Sequence, residues 1–242
     1  MSANPEEIAA ALRRDDPEAW AISLYAPEAL RPHVQCLAAF AHELRQISQK
    51  VKQPLAGEIR LQWWRDVLEK PDGGATTSPL ADALLASVRQ MHLPVAALVG
   101  IIDAHVHDLY GEAFADQAAL EGYCGASDAA LLRLTTLVLA QGKDPGGAAV
   151  CGHAGMAAGI LRVATRFGPA MLHNIEDPLH QAVGHLHAAE AQMNTLAPAA
   201  RAAFVGLGLV KVRLKQGQRG RSIDISPLAR LVHLWLYARR LP

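Results

Sequence analysis

An all-α, single-domain bundle is the fold class this sequence predicts, on three observations. Ala and Leu dominate a chain in which 51% of residues are apolar, only 5% are aromatic and β-branched residues rarely cluster. Apolar positions recur at helical spacing along the whole length, with no strand alternation, internal repeat or long polar linker between them. Every connection is short enough for neighbouring helices to pack directly, so residues 1–242 are read as one domain.

From Leu30 the apolar residues fall at Val34, Leu37, Ala41, Leu44 and Val51, a four-then-three rhythm that only a helix turns into one face. Pro27 and Pro54 bracket this first helix. The segment Gly-Glu-Ile-Arg-Leu-Gln-Trp-Trp-Arg-Asp, from Gly57 to Asp66, opens a second one that ends near Lys70, before the breaker cluster Pro71-Asp72-Gly73-Gly74. Pro79 and Pro94 stand where first-turn prolines belong and predict helices to about Met91 and about Tyr110. Further helices are expected from about Gln117 to Gln141, Gly146 to Phe167, Pro178 to Thr195, Pro198 to Gln216 and Pro227 to Arg240.

Twenty-three basic residues balance twenty-three acidic ones, so no global field draws in nucleic acid or an anionic membrane. Cys36, Cys124 and Cys151 form no Cys-x-x-Cys pair and nothing at the amino terminus resembles a signal peptide, which predicts a reducing, cytoplasmic setting. Glu6, Glu7, Asp15 and Asp16 argue against a transit peptide. No apolar run approaches the roughly 18 to 20 residues of a membrane span, leaving peripheral attachment to the inner membrane as the expected form of any lipid contact. Among the histidines, His180, His185 and His187 have poor metal geometry, because two residues apart on a helix diverge. Asp103 and His107, one turn apart, are better placed and are read as a solvated or hydrogen-bonded pair in preference to a metal site.

These segments together resemble the squalene and phytoene synthase family. Ser23-Leu24-Tyr25 with Leu30-Arg31 is similar to its opening helix, and Ala39-Phe40-Ala41-His42 to the lead into its first aspartate motif. Gly57 to Asp66 is the most specific match. Ile101-Ile102-Asp103 with Asp108-Leu109 resembles the mid-chain acidic helix, Tyr123-Cys124 the start of the next, and Cys151-Gly152-His153-Ala154 through Ile160-Leu161-Arg162 the stretch holding the second aspartate motif. The resemblance implies an isoprenoid-synthase-type helical bundle around a central cavity, in which active members join two isoprenoid diphosphates. Two facing motifs there each present carboxylates one helical turn apart, and Mg²⁺ ions bridge them to the diphosphates.

Carried over, the first motif lands on Arg45, Gln46, Ile47, Ser48 and Gln49, and the second on Val163, Ala164, Thr165, Arg166 and Phe167. None of these is acidic. The Asn usual upstream is replaced by Gly159, and no Asp or Glu occurs between Asp144 and Glu176. Glu43, two residues from position 45, points roughly 200° away. Met156, Ile160, Val163 and Phe167 instead form an apolar stripe, read either as core packing or as the wall of a lipid-lined pocket. Arg45, Arg162 and Arg166 are read either as exposed cations or as a grip on an anion such as one diphosphate, with Arg31 and Gln49 completing the relic pocket.

A second group concerns surfaces. Lys211, Arg213, Lys215, Arg219 and Arg221, followed by Leu231, Leu234, Trp235 and Tyr237 with Arg239 and Arg240, fit either a membrane or partner surface or a closing helix packed on the bundle. Trp63 and Trp64 point about 100° apart on a helix, so at most one lies deep in a given core layer and the other anchors an interface or lids the bundle.

The missing carboxylates predict a non-catalytic protein with no cofactor, and the resemblance extends to a branch of the family that helps assemble respiratory complex I. It implies a binding or assembly factor with a respiratory-complex subunit as partner. The alternatives are an active prenyltransferase, which would need Mg²⁺, and a carrier that sequesters an isoprenoid diphosphate without reacting it.

Overall fold

Prolines and short polar caps start most of the helices. A computed structural model describes residues 5–70 and 76–241, and the breaker cluster Pro71-Asp72-Gly73-Gly74 lies outside them. In chain order the helices are α1 (Pro5–Asp15), α2 (Pro17–Ser23), α3 (Arg31–Lys50), α4 (Pro54–Glu69), α5 (Pro79–Gln90), α6 (Val95–Ala104), α7 (His107–Tyr110) and α8 (Gln117–Cys124). There follow a π turn (Gly125–Ala129), α9 (Ala130–Leu139), α10 (Ala148–Arg166), α11 (Pro178–Ala191), a 3-10 turn (Pro198–Phe204), α12 (Leu207–Gly217) and α13 (Pro227–Ala238). Asp16, Ser78, Asp116 and Ser226 each accept a backbone N–H at a helix start, a cap contributing about 1 kcal/mol.

The bundle is all-α, and among the described residues its β pairing is limited to one isolated bridge between Gly146 and Leu196. α10 is the central helix, packed against α8, the π turn, α9, α11 and α12. By length and mean hydropathy α10 would pass for a membrane span, a run the sequence reading overlooks, but half of it is buried inside the bundle.

Three predicted helices are interrupted. The stretch from Pro94 to Tyr110 breaks after Ala104, where the N–H groups of His105 and Val106 bond three residues back and tighten the last turn. The stretch from Gln117 to Gln141 runs through the π turn, where Ser127, Asp128 and Ala129 are all buried and pack against α10. α10 permits this because it carries Gly155 there: a Cβ at that position would sit 2.3 Å from Ala129 Cα. The stretch from Pro198 to Gln216 divides into the 3-10 turn and α12. Two helices the sequence reading did not identify, α1 and α2, cover the edge of α3.

On α4, Trp64 is 1% exposed and its ring meets Phe40 edge-on at 5.0 Å, whereas Trp63 is 37% exposed. Adjacent indoles thus split between core and surface.

Candidate functional site

The site grows from three helices that carry charge into an apolar interior. α3 supplies Arg45, α10 supplies Arg162 and Arg166, and α8 with the π turn supplies Tyr123, Ser127 and Asp128. The junction between α6 and α7 adds His105 and Asp108, both buried. Charges this deep persist only when paired.

Asp128 is the hub. Arg162 donates to it through Nη2 (2.6 Å to Oδ2) and Nε (3.1 Å to Oδ1), and Arg45 Nη2 donates to Oδ1 at 3.1 Å. Ser127 Oγ donates to the Tyr123 carbonyl at 2.6 Å and lies 3.1 Å from Oδ2. Burial alone would raise this carboxyl's pKa, but Arg162 and Arg45 outweigh it and hold it far below the usual range. Arg162 is correspondingly pushed up: burial opposes its charge, and Asp128 overcomes that.

A second carboxylate, Asp108, accepts from Tyr123 Oη at 2.7 Å and from His105 Nδ1 at 2.9 Å, with Arg166 Nη1 3.6 Å away. Tyr123 Oη accepts in turn from Arg162 Nη1 at 3.0 Å, which joins the two clusters. Burial lowers the His105 pKa despite Asp108, so the ring is a neutral donor at pH 7. Burial would raise the Asp108 pKa, but the bond from His105 keeps it low. Arg166 also donates to the Arg45 carbonyl and, at 2.8 Å, to Ser48 Oγ. The three arginines are therefore engaged inside the protein, whereas the sequence left them either exposed or free to hold a diphosphate.

The other predicted pocket residues scatter. Gln49 is exposed at the end of α3. Arg31 donates to the carbonyls of Leu24 and Ala26 and clamps the loop before α3. Ile160 and Val163 are fully buried core, with Met156 and Phe167 packed against that core and the Arg166 guanidinium over the Phe167 ring. Gly159 makes room: a Cβ there would lie 2.7 Å from Cys124 Sγ and 3.0 Å from an Asp128 oxygen. Asp103 pairs with Arg65 and His107 stacks on Phe114, so those two do not meet. His185 pairs with His153 at 3.0 Å, away from His187.

A cavity of about 520 Å³ does persist, walled by the adjacent face of α10 (Ala158, Leu161, Arg162, Thr165). Leu131, Leu132 and Leu139 line the apolar part. Its charged lining is Asp16, Glu18, Asp128 and Asp224 with Arg45, Arg162 and Arg213, and Ser23, Thr135 and Thr165 add hydroxyls.

A Mg²⁺-bridged diphosphate does not fit these residues. The wall positions offer guanidinium, amide, hydroxyl and hydrocarbon, and the oxygens of Asp108 and Asp128 are already engaged by donors. Among the described residues no three His, Cys, Asp or Glu side chains converge as a metal shell. Sequence reasoning missed Asp128, Tyr123 and His105 as a network. The available signal was a single acid in the apolar run from Tyr123 to Leu132, a pattern that calls for a buried cation.

Of the surface residues, Trp63 is partly exposed and Trp64 is core. Lys211 pairs with Glu190, and Arg213 grips both oxygens of Glu18 at 2.7 and 2.6 Å, so neither cation is free at a surface. Lys215 and Trp235 are exposed.

Comparison with known proteins agrees with this architecture. The chain is 31% identical over 151 residues to the NADH dehydrogenase (ubiquinone) complex I assembly factor 6 of Bos taurus, covering 62% of this chain and 45% of that protein. The Homo sapiens protein of that name is 30% identical over the same length and coverage. The chain thus spans about half the length of the curated relatives it matches. A dehydrosqualene synthase crystal structure superimposes with a TM-score of 0.72 at 14% identity, over 98% of this chain and 96% of that one. The squalene synthase HpnC from Alicyclobacillus acidocaldarius gives 0.65 at 17% identity, over 97% and 92%. These show the isoprenoid synthase helical fold. The squalene/phytoene synthase profile matches residues 12–174, two-thirds of the sequence, and the chain belongs to that family.

Proposed function

We propose that this chain is a non-catalytic member of the family that acts as a binding factor in the assembly of a respiratory complex, working from the cytoplasmic face of the inner membrane. One observation carries the reading: Asp128 is saturated by Arg45 and Arg162 where catalysis would need carboxylates free to hold metal. The guanidiniums that line the cavity are already taken, Arg45 and Arg162 by Asp128 and Arg213 by Glu18. Losing the bridging ions raises the barrier by several kcal/mol, and each ~1.4 kcal/mol is tenfold in rate. The relatives named as complex I assembly factors supply the direction of the proposal.

The deciding experiment has two arms. Purified protein with farnesyl or geranylgeranyl diphosphate and Mg²⁺ is expected to release no pyrophosphate. Deleting the gene from its host is expected to deplete assembled NADH dehydrogenase on native gels, and re-expression to restore it. Steady turnover in the first arm, or intact assembly in the second, overturns the reading. A second reading, a carrier of a neutral isoprenoid, is favoured by the surviving apolar cavity.

A further inference from the structure

α13 carries its apolar residues on the wrong side for a core helix. Leu228, Leu231, Val232, Trp235 and Leu236 fall at the i, i+3, i+4, i+7, i+8 positions of one face, an arc of about 140°, and all five are exposed, Leu228 by 74% and Trp235 by 50%. The opposite face does the packing, through buried Leu234, through Tyr237 against Gly208 of α12, and through Arg230, which pairs with Glu18. The helix is therefore already anchored, and its outer stripe is surplus to the fold.

Charge tells what covers that stripe. From residue 211 to the end the sequence holds eight cations and one acid, Asp224, a surplus of seven in a chain that is neutral overall. Three of the eight are spent internally: Lys211 on Glu190, and Arg213 and Arg230 on Glu18. Among the described residues no carboxylate lies within ion-pair reach of Lys215, Arg219, Arg221, Arg239 or Arg240, all exposed. Because α12 and α13 pack as an antiparallel pair, Arg219 and Arg221 flank the start of the stripe and Arg239 and Arg240 its end. The Arg239 guanidinium lies 4.7 Å over the Trp235 ring, the pairing of aromatic and cation that suits a headgroup layer.

We propose that α13 is an in-plane docking helix for an anionic lipid surface, its stripe entering the acyl boundary and the flanking arginines meeting lipid phosphates. A second copy of the chain fits less well, since pairing α13 with itself brings these cations together with no acid in 225–242 to offset them. The cavity borders this surface, because Ile223 and Asp224, just before α13, line it. This surface is separate from the Arg45–Asp128–Arg162 cluster, and its test succeeds or fails whether or not the assembly reading holds.

The test is cosedimentation of the full chain with vesicles of phosphatidylcholine alone or with 30 mol% phosphatidylglycerol, an estimate of a suitable anionic fraction of roughly one lipid in three. Binding is expected to the anionic vesicles only. The double variant Leu231→Asn/Trp235→Asn, both sites being exposed, is expected to keep its melting temperature and to lose binding at least about tenfold. Arg239→Gln/Arg240→Gln is expected to weaken binding by a similar factor and to reduce its salt sensitivity. Ile59→Asn, an exposed apolar site on α4, is expected to bind like the unaltered protein. Equal binding to neutral vesicles, an unaffected Leu231→Asn/Trp235→Asn variant, or an equal loss with Ile59→Asn overturns the proposal. So does a concentration-dependent dimer that the same double variant abolishes.

Discussion

Arg162 holds Asp128 side-on through Nε and Nη2, at 3.1 and 2.6 Å, and Arg45 reaches the same carboxylate from the facing helix at 3.1 Å. Where the resemblance places two carboxylate walls, this chain has Arg45 on one, Arg166 on the other and the carboxylate on the π turn. The two interior carboxylates, Asp108 and Asp128, are thus held by arginines of α3 and α10.

Removing one partner of that lock is expected to be costly. Asp128→Asn leaves two guanidiniums short of a buried counter-charge and should lower stability by about 3 to 5 kcal/mol in urea titration. Asp128 has a folded-state pKa below the unfolded value of about 3.9, so its stabilisation is complete above that pH and disappears as pH falls through the folded value. The urea midpoint of the native protein should therefore fall below about pH 4, and Asp128→Asn should flatten that slope.

Restoring the side chain usual at position 159 is expected to fail. Gly159→Asn places a Cβ against Cys124 Sγ and the Asp128 carboxylate, and overpacking of this kind costs about 1 to 3 kcal/mol. Thermal denaturation should show a lower melting temperature with no gain in pyrophosphate release.

The two adjacent tryptophans should separate by stability. Trp64→Ala removes a fully buried ring stacked edge-on with Phe40 and is expected to cost about 3 to 5 kcal/mol. Trp63→Ala loses a partly exposed ring and one edge contact with Trp64, worth about 1 kcal/mol. Paired denaturation curves check both.

Burial pushes the thiols of Cys36 and Cys124 up to about 12 and raises that of Cys151 as well. At pH 8 the thiolate fraction of the first two is on the order of one in ten thousand. Iodoacetamide is expected to leave both unmodified in the native protein for hours and to alkylate all three in urea, as read by mass spectrometry.

The cavity should discriminate by charge. A neutral prenyl alcohol such as farnesol is expected to raise the melting temperature, and farnesyl diphosphate to raise it less, because the guanidiniums of Arg45, Arg162 and Arg213 are already held by Asp128 and Glu18. A larger shift with the diphosphate would count against the electrostatic argument, and Ala158→Trp, which fills the wall, should remove either shift.

Much of the bundle was legible because helical periodicity and proline punctuation are local. α3 and α5 run close to the predicted spans, since Leu37 and Leu44 repeat on one face of α3 and Pro79 starts α5, whereas α4 begins at Pro54, three residues before the predicted Gly57. The π turn was not legible, because its cause is Gly155, a residue of another helix that lets Ala129 approach. Whether α13 shows a surface stripe or only packs on the bundle stayed open in the sequence for the same kind of reason: apolar residues fall on two faces of this helix, and spacing does not say which face its neighbours cover.

By itself the sequence determined that the two wall motifs lack carboxylates, that the chain is helical throughout, and that its charge surplus gathers at one end. Those are properties of residue identity and spacing. Only the tertiary structure decided where the arginines go, because Arg45, Asp128 and Arg162 are 83 and 34 residues apart and a buried charge takes whatever partner the packing of α3, the π turn and α10 brings within about 3 Å.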